Sequence, residues 1–391
     1  MSGAGPLGRL ALILGALSAF GPLSIDMYLP SFQSISRELN ASEAQVQHTL
    51  AVFFGGIGLG QAFYGPISDR YGRLRPLCFG LTLFVLASAV CALSPSIEGL
   101  VAWRFVQSIG GCAGIVIARA VVRDRFDERE SARVFSLLML VMGIAPILAP
   151  LAGGQILVLF GWRAIFWTLA AFGFLCLAAV LLALGESLPP ERRARGGLGD
   201  ALRTYVRLLA DRGFMRYNLS GALVISGMFV YIFGSPFVFM EIHGVRPDHY
   251  GWLFGLNAAG LIVASQCNRA LLQRVAETCI LSRALVVTAA AGVLLLAAAW
   301  SGRGGLSGLL LPLFVYISSL GFVLPNVVAA ALAPQGRNAG SAAALLGTAQ
   351  FGAGAAVGTL LGALGNGTAV PMAGLIAACG LSALAVHRLL A

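Results

Sequence analysis

The chain has 391 residues, of which 58% are hydrophobic and 11% are charged. A soluble domain carries about 25% charged residues, so this composition excludes a soluble globular protein and indicates a polytopic membrane protein. The net charge of +10 would suggest a nucleic-acid partner in a soluble chain, but the arginines here fall mainly between apolar segments, so no nucleic-acid partner is predicted.

Apolar segments long enough to cross a bilayer recur along the whole chain. Because a transmembrane helix needs about 20 apolar residues, we predict an all-α fold of twelve transmembrane helices in two pseudo-symmetric halves of six. The first segment could be a cleaved signal peptide, but its length and Asp26 favour a retained span. The predicted spans are 10–30, 47–67, 76–94, 99–121, 133–157, 164–184, 217–240, 250–268, 281–300, 308–332, 340–363 and 369–388.

The first span ends in LSIDMYLPSF, residues 23–32, where Asp26 is the single charge in an apolar run. An aspartate costs roughly 2.5 to 3.5 kcal/mol at the middle of a bilayer, so its presence indicates a functional role. Burial favours the neutral carboxyl group and a nearby cation favours the charged one, so we predict that Asp26 binds and releases a proton. The alternative is an interfacial aspartate held by water or by a helix end.

The loop after the second span reads GPISDRYGRLRPL, residues 65–77. Its glycines permit close backbone approach, and it holds both charge signs within one short turn. We predict a gate in which Arg73 pairs with Asp124 of the RDRFDE segment when the protein faces outward. The alternative is an ordinary loop whose arginines only fix the topology. The predicted gate residues are Gly65, Asp69, Arg70, Gly72, Arg73 and Asp124.

The fourth span contains RFVQSIGG, in which Arg104 and Gln107 lie three residues apart on one helical face. At 1.5 Å per residue, Arg104 and Asp26 lie about 9 Å and about 6 Å from the outer ends of their spans. These depths are comparable, so Arg104 is the candidate cation for Asp26. Snorkelling of Arg104 to the interface is the alternative.

The fifth span contains GIAPILAPLAGG, residues 143–154. Its two prolines interrupt backbone hydrogen bonding, and its glycines permit close helix packing. We predict a functional kink in this span, with a kink that serves only packing as the alternative. The residues of the predicted kink are Pro146, Pro150, Gly153 and Gly154.

The longest polar stretch follows the sixth span and divides the chain in two. We predict an N-terminal half, 1–185, a cytoplasmic linker, 186–216, and a C-terminal half, 217–391. Within the linker, LGDALRTYVRLLADR has apolar residues at helical spacing with arginines on the other face, which predicts an amphipathic helix on the membrane surface. Most arginines lie in loops on the same side as the linker, so the positive-inside rule predicts that both termini are cytoplasmic.

Several of these motifs are similar to those of a known family. The loop GPISDRYGR resembles the signature loop of the major facilitator superfamily, and GIAPILAPLAGG resembles the antiporter motif of drug:proton exchangers. Together with LSIDMYLPSF, RFVQSIGG and FGSPFVFMEIHG, they resemble the bicyclomycin-resistance (Bcr/CflA) group of that superfamily.

The resemblance implies a proton-coupled antiporter of the bacterial inner membrane. It would export hydrophobic drugs, such as chloramphenicol-like or bicyclomycin-like compounds, by alternating access. It also implies that Asp26, Tyr28 and Arg104 belong to the coupling and binding region. In the gate, it implies that Asp69 lies against the start of the eleventh span near Gly340 and Ser341 when the protein faces outward.

Polar residues are sparse in the spans that would line the transport cavity, and they stand among aromatic residues. Such a lining suits bulky, moderately apolar molecules, although an intramembrane Asn or Gln also commonly joins helices. The predicted substrate-binding residues are Tyr28, Gln107, Tyr231, Phe237, Asn257, Asn326 and Gln350.

Motifs for catalysis or metal binding do not occur. The seven cysteines have no CxxC spacing, and there is no HExxH, GxSxG or GxxxxGK[ST] sequence, so we predict no enzyme activity, cofactor or metal site. The expected partners are a hydrophobic small molecule, protons and the lipid bilayer, with the protein acting as a monomer. The alternatives are an exporter of an endogenous metabolite or amino acid, a symporter or uniporter of the same superfamily, and a non-transporting receptor or scaffold.

Overall fold

The structure, a computed structural model, describes residues 6–193 and 198–390, and every regular element in these ranges is a helix. Residues 194–197 of the predicted linker lie outside the described residues. The long helices of the described ranges are helix 1, which runs in pieces from Pro6 to Glu38; helix 2, Glu43–Tyr71; helix 3, Leu74–Leu93; helix 4, Ile97–Arg125; helix 5, Glu128–Phe160; helix 6, Trp162–Ala183; helix 7, Arg212–Pro236; helix 8, Pro247–Leu271; helix 9, Glu277–Ser301; helix 10, Gly305–Leu332; helix 11, Ala339–Leu364; and helix 12, Val370–Leu389.

The predicted all-α membrane fold is confirmed. In the part of the chain that the structure describes, eleven helices are long and apolar enough to cross a membrane. Helix 8 has 25 residues and occupies the position of the remaining predicted span. Helix 5 has 33 residues, or about 50 Å at 1.5 Å per residue, against a hydrocarbon core of about 30 Å. The helices therefore continue beyond the predicted apolar windows.

Helix 1 is divided into short pieces rather than being one continuous helix. A first piece, Pro6–Ser18, is followed by Phe20–Asp26, by a 3₁₀ turn at Leu29–Ser31 and by a last piece, Phe32–Glu38. Pro30 has no N–H to donate to the helical ladder, which explains the tight turn. Asp26 is therefore the last residue of a helical piece, next to irregular backbone, and irregular backbone inside a membrane protein is tolerated where it is buried or lines a cavity.

The two ends of the helix bundle differ in charge. We call the end that contains the Tyr71–Leu74 turn and the segments 184–193 and 198–211 the arginine-rich end, and the other the opposite end. Helix 2 packs along helix 11, and helix 5 packs along helix 8, so the two halves meet through these pairs. Near the opposite end, Gly154 lies directly against the backbone of Pro247 in the other half. The halves are therefore in contact at the opposite end.

The outer surface of the bundle is strongly apolar. Phe160, Leu182 and Trp300 are 73%, 87% and 79% exposed, whereas large apolar side chains of soluble proteins rarely form extensive exposed surfaces. These side chains can face outward because lipid, rather than water, surrounds the bundle.

The linker contains a helix, Leu198–Ala210, at the place where the sequence predicts an amphipathic one. The Tyr205 hydroxyl donates a hydrogen bond of 3.2 Å to the Ala62 carbonyl of helix 2, and Leu208 is buried. The helix is thus held against the arginine-rich end of the bundle. Its binding to the membrane surface and the boundaries of the predicted domains stay predictions.

Candidate functional site

A cavity of about 510 Å³ lies between the two halves. Its walls come from helices 1, 2, 4 and 5 on one side and from helices 7, 8, 10 and 11 on the other, and are mostly apolar. The lining reaches Leu332 and Ala343, at the arginine-rich ends of helices 10 and 11. The polar and charged residues of the lining are Ser18, Asp26, Gln61, Arg119, Tyr231, Asn257 and Gln350.

Asp26 lies on the wall of this cavity and is only 4% exposed. None of the ion pairs found among the described residues includes Asp26. Tyr231 and Asn257 of the other half line the same cavity, and the Asn257 amide donates to the Tyr231 hydroxyl at 3.1 Å. A buried carboxyl group without a counter-charge is least costly when it is neutral, so the site suits a group that gains and loses a proton.

Arg104 is completely buried beside helix 1 but does not pair with Asp26, contrary to the predicted contact. Its Nη2 donates to the Ser24 carbonyl at 3.1 Å, and its Nη1 donates to Gln107 Oε1 at 2.7 Å. The guanidinium carbon lies 4.1 Å from the ring centre of Phe53. Arg104 therefore holds the backbone two residues before Asp26, rather than the carboxylate itself, because the helix 1 turn directs the Asp26 side chain into the cavity.

Two residues predicted to bind substrate belong to this buried cluster and do not line the cavity. The Tyr28 hydroxyl shares a 2.8 Å hydrogen bond with Thr49, and its ring lies 4.6 Å from the Arg104 guanidinium carbon. The Gln107 amide donates to the Ser88 hydroxyl at 2.7 Å. Both side chains are fully buried, so they support Arg104 within the N-terminal half.

The predicted C-terminal residues divide between the cavity and other places. Tyr231, Asn257 and Gln350 line the cavity. Phe237 instead lines a small crevice near the opposite end. Asn326 donates to Asn268 Oδ1 at 2.9 Å and joins helices 10 and 8. Neither Asn326 nor Phe237 lines the central cavity, so the structure does not bring them together with the other predicted substrate-binding residues.

Arg119 is a cavity residue that the sequence analysis missed. The positive-inside rule explains Arg119 as one of the arginines that fix the topology, but its exposed side chain lines the central cavity. Its only hydrogen bond among the described residues is a weak one to Met142 Sδ at 3.9 Å. Its position four residues after Ile115, another lining residue, is the helical spacing that could have indicated this face. The cavity thus contains both an acidic and a basic side chain.

An aromatic cluster on the cavity wall was also missed. The ring of Phe54 in the N-terminal half lies 4.4 Å from that of Phe229 and 5.5 Å from that of Phe351 in the C-terminal half. Aromatic pairs at such distances are favourable contacts. Because the cluster joins the two halves, it must rearrange if the halves move apart.

The predicted gate contains an ion-pair cluster centred on the buried side chain of Arg73. Its Nε donates to Asp124 Oδ2 at 2.8 Å, and its Nη1 donates to Asp69 Oδ1 at 2.6 Å. The predicted Arg73–Asp124 contact is therefore made, although here it forms while the opposite end is closed. The Asp69 side chain is 50% exposed, and no atom lies within 4 Å of a Cβ built on Gly340 at the start of helix 11. The contact of Asp69 with helix 11, which is predicted for the outward-facing state, stays a prediction.

The other predicted gate residues surround this cluster without joining its ion pairs. Gly72 follows helix 2 with a φ of 89°, which favours glycine. The guanidinium carbon of the exposed Arg70 lies 5.4 Å from the ring centre of Tyr71. Gly65 has open space beside it. Their roles in gating stay predictions.

Glu186, the first residue of the predicted linker, is a further member that the sequence did not indicate. Its carboxylate accepts hydrogen bonds from the backbone N–H groups of Arg73 at 2.8 Å and Leu74 at 3.3 Å. Partial burial opposes its ionisation, but the backbone donors prevail and hold the pKa of Glu186 below its usual value. The stabilisation from this contact is thus fully present above about pH 4.3, the ordinary pKa of a glutamate. It is lost only as the pH falls through the lower pKa that Glu186 has in the folded protein.

The predicted kink in helix 5 lies beside the contact between the halves. Pro146 and Pro150 are inside a helix that continues from Glu128 to Phe160, and Pro146 lines the cavity. Gly153 lies against the backbone of Met27 in helix 1. The glycines therefore permit close packing at the opposite end, and a functional role of the kink stays a prediction.

Disrupting the Arg73 cluster is expected to change how the arginine-rich end opens. Arg73→Ala removes the contacts to both aspartates, whereas Asp69→Asn removes the more exposed one, worth about 1 kcal/mol or less. We expect Arg73→Ala to change the labelling of a cysteine introduced at Ala343 in the cavity and to slow transport, with a smaller effect of Asp69→Asn. Arg75→Ala, in the same loop but outside the ion pairs described, is the control. Unchanged labelling and transport in both gate variants would contradict the assignment.

The fold and its central site together define a class of protein. An integral membrane protein with two halves around a mid-membrane cavity has the architecture of a secondary transporter. A family model described as Major Facilitator Superfamily matches residues 13–359. The chain belongs to the major facilitator superfamily.

Relatives in bacteria confirm the resemblance to the bicyclomycin-resistance group. The chain is 32% identical over 368 residues to a bicyclomycin resistance protein homolog of Haemophilus influenzae, covering 94% of this chain and 92% of the relative. It is 41% identical over 365 residues to the uncharacterized MFS-type transporter YdgK of Bacillus subtilis, covering 93% and 90%. It is 34% identical over 252 residues to the multidrug resistance protein MdtL of Escherichia coli, covering 64% and 63%.

Solved structures share the fold at low sequence identity. A POT family peptide transporter has a TM-score of 0.76 at 15% identity, covering 98% of this chain and 96% of its own. The xylose transporter XylE of E. coli, in a partially occluded inward open conformation, has a TM-score of 0.74 at 14% identity, covering 98% and 97%. At such identities the similarity concerns the fold alone.

Proposed function

We propose that this protein is a proton-coupled antiporter that exports hydrophobic drugs or antibiotics by alternating access. The observation that carries the proposal is Asp26, a carboxyl group on the wall of a largely apolar cavity and outside the ion pairs described. Relatives named for bicyclomycin and multidrug resistance support the substrate class. The cavity volume of about 510 Å³ also lies in the range of drug-sized sites, about 300 to 1,000 Å³.

The proposed transport cycle uses contacts at both ends of the bundle. With the arginine-rich end in the cytoplasm, closure at Gly154 and Pro247 corresponds to an inward-facing arrangement. A substrate entering the cavity favours release of the proton from Asp26 because the two compete for this region. Reorientation then exposes Asp26 to the outside, where it takes a proton and the substrate leaves. Each charge moved across about 100 mV contributes roughly 2.3 kcal/mol.

The proposed antiporter has the cellular location and orientation that the sequence predicts. The protein would work as a monomer in the bacterial inner membrane, with both termini cytoplasmic and protons from outside as its energy source. Arg104 acts in coupling through its bond to the Ser24 carbonyl. Tyr231, Asn257 and Gln350 contact the substrate from the C-terminal half.

Export of an endogenous amino acid or similar metabolite is a second candidate function. The cavity contains one acidic and one basic side chain, Asp26 and Arg119, and a zwitterionic solute could interact with both. Export of a hydrophobic drug uses the aromatic cluster of Phe54, Phe229 and Phe351 more than these charges. A symporter or uniporter of the same superfamily would show import or no dependence on protons.

Drug susceptibility in an efflux-deficient bacterial host tests the proposed function. Expression of the full chain is expected to raise the inhibitory concentration of at least one hydrophobic antibiotic about fourfold or more. An uncoupler should restore drug accumulation in these cells, because the proton gradient drives export. Cells expressing an unrelated membrane protein at the same level are the control. Unchanged susceptibility together with amino-acid release would instead favour the second function.

A further inference from the structure

A small cavity in the C-terminal half is separate from the transport cavity. It has a volume of about 260 Å³ and lies at the arginine-rich end, between helices 7, 9 and 12. Its lining contains two guanidinium groups, a hydroxyl group and an imidazole, and no carboxylate. The lining residues are Arg216, Ser282, Leu384, His387 and Arg388.

The contact between Arg216 and His387 fixes the protonation of the imidazole. Arg216 Nε donates to the His387 carbonyl at 3.0 Å, and Arg216 Nη2 lies 3.1 Å from His387 Nε2. A guanidinium only donates, so Nε2 accepts and the ring proton is on Nδ1. His387 is 4% exposed, and its Nδ1 has no hydrogen-bond partner among the residues that the structure describes. A buried donor without an acceptor is costly, and His387 is one of the residues that line this cavity.

Arg388 supplies a second cation that has no acidic partner in the described part of the chain. Its side chain is exposed at the end of helix 12 and lines the cavity beside Ser282. Two arginines at one concave site match the oxygen geometry of a phosphate group better than two lysines would.

We propose that this cavity binds the phosphate group of an anionic phospholipid. Basic cavities between transmembrane helices at the arginine-rich side of membrane proteins are suited to anionic headgroups. Leu384, one helical turn deeper than Arg388, offers an apolar contact for the glycerol end of an acyl chain. The bound phosphate would join helices 7, 9 and 12 and stabilise this end of the C-terminal half, whatever molecule the protein transports.

The rule that positive residues face the cytoplasm would explain isolated arginines at this end. It does not explain why Arg216 and Arg388 line the same cavity. Arg283 provides the comparison, because it follows Ser282 in helix 9 and lines a different groove. That groove is otherwise formed by apolar and hydroxyl side chains of helices 8, 9 and 10, without a second arginine. Replacing Arg283 therefore removes one positive charge from the same end of the bundle, as replacing Arg388 does, but leaves the proposed site unchanged.

Native mass spectrometry of the full chain in a neutral detergent tests the proposal. Phosphatidylglycerol and, in a separate series, phosphatidylcholine are titrated into four proteins: wild type, Arg388→Gln, Arg283→Gln and Ser282→Glu. A basic residue near an anionic headgroup contributes about a fivefold difference in affinity. We expect phosphatidylglycerol to bind Arg388→Gln about fivefold more weakly than wild type or Arg283→Gln. Ser282→Glu keeps both arginines but places a carboxylate in the cavity, and should lose binding further.

A parallel thermal-unfolding series with inorganic phosphate distinguishes the source of the phosphate group. Competition between millimolar phosphate and phosphatidylglycerol would support the site and assign the contact to the headgroup phosphate. Stabilisation by inorganic phosphate alone, lost in Arg388→Gln, would support a phosphate site with a soluble ligand. Equal binding of both lipids, or equal loss in Arg388→Gln and Arg283→Gln, would overturn the proposal.

Discussion

Replacing Asp26 by asparagine is expected to abolish proton-driven transport while leaving the protein folded. Asparagine has nearly the shape of aspartate but cannot bind and release a proton, and the carboxylate forms none of the ion pairs described. We expect uptake into inverted vesicles under an imposed pH gradient to fall to the level of vesicles without the protein. Substrate-induced proton release should disappear as well, whereas substrate affinity should change by less than about threefold.

The control for this experiment is Asp248→Asn at the start of helix 8. Asp248 accepts from Arg246 at 2.8 Å and lies outside the central cavity, so the same chemical change should leave transport intact. Wild-type uptake by Asp26→Asn would contradict proton carriage by Asp26. The next candidates would then be Glu241 and His243 at the opposite end, where Glu241 contacts Glu43 of the other half. Wild-type uptake no higher than that of vesicles without the protein would instead favour a non-transporting role.

Replacing Arg104 by lysine is expected to reduce the maximal rate of transport at least tenfold although the positive charge is retained. Arginine donates to both the Ser24 carbonyl and Gln107 while packing on Phe53. A lysine ammonium lacks the planar fork that makes these contacts together. An acceptor left unsatisfied in this buried cluster costs about 1 to 3 kcal/mol. The helix 1 turn should therefore lose its fixed position relative to the cavity.

Separate measurements of rate and affinity distinguish positioning from a general loss of stability. We expect Arg104→Lys to lower the maximal rate much more than the substrate affinity, with protein yield within about twofold of wild type. Arg163→Lys is the matched control, because Arg163 pairs with Glu38 at a half-exposed position, where an ion pair is worth about 1 kcal/mol or less. A wild-type rate in Arg104→Lys would show that the fork contacts of Arg104 are dispensable.

The sequence by itself determined the membrane class, the helical fold, the turn around Arg73 and the position of Asp26 as the single charge in an apolar run. These features are local, since a bilayer requires about 20 consecutive apolar residues for each helix. A charge that interrupts such a run is visible without knowledge of its neighbours. The pairing of Arg73 with Asp124 followed from a motif whose charges lie close to helix ends.

Only the tertiary structure decided which polar residues line the cavity. Tyr28, Gln107 and Asn326 turned out to bond to neighbouring helices, and Arg119 turned out to face the cavity. The physical reason is the solvent. In water, a polar face distinguishes the outside of a helix from its core face, but lipid is as apolar as the protein interior. A membrane helix is therefore apolar on both sides, and the direction of a single polar side chain depends on how the helices pack.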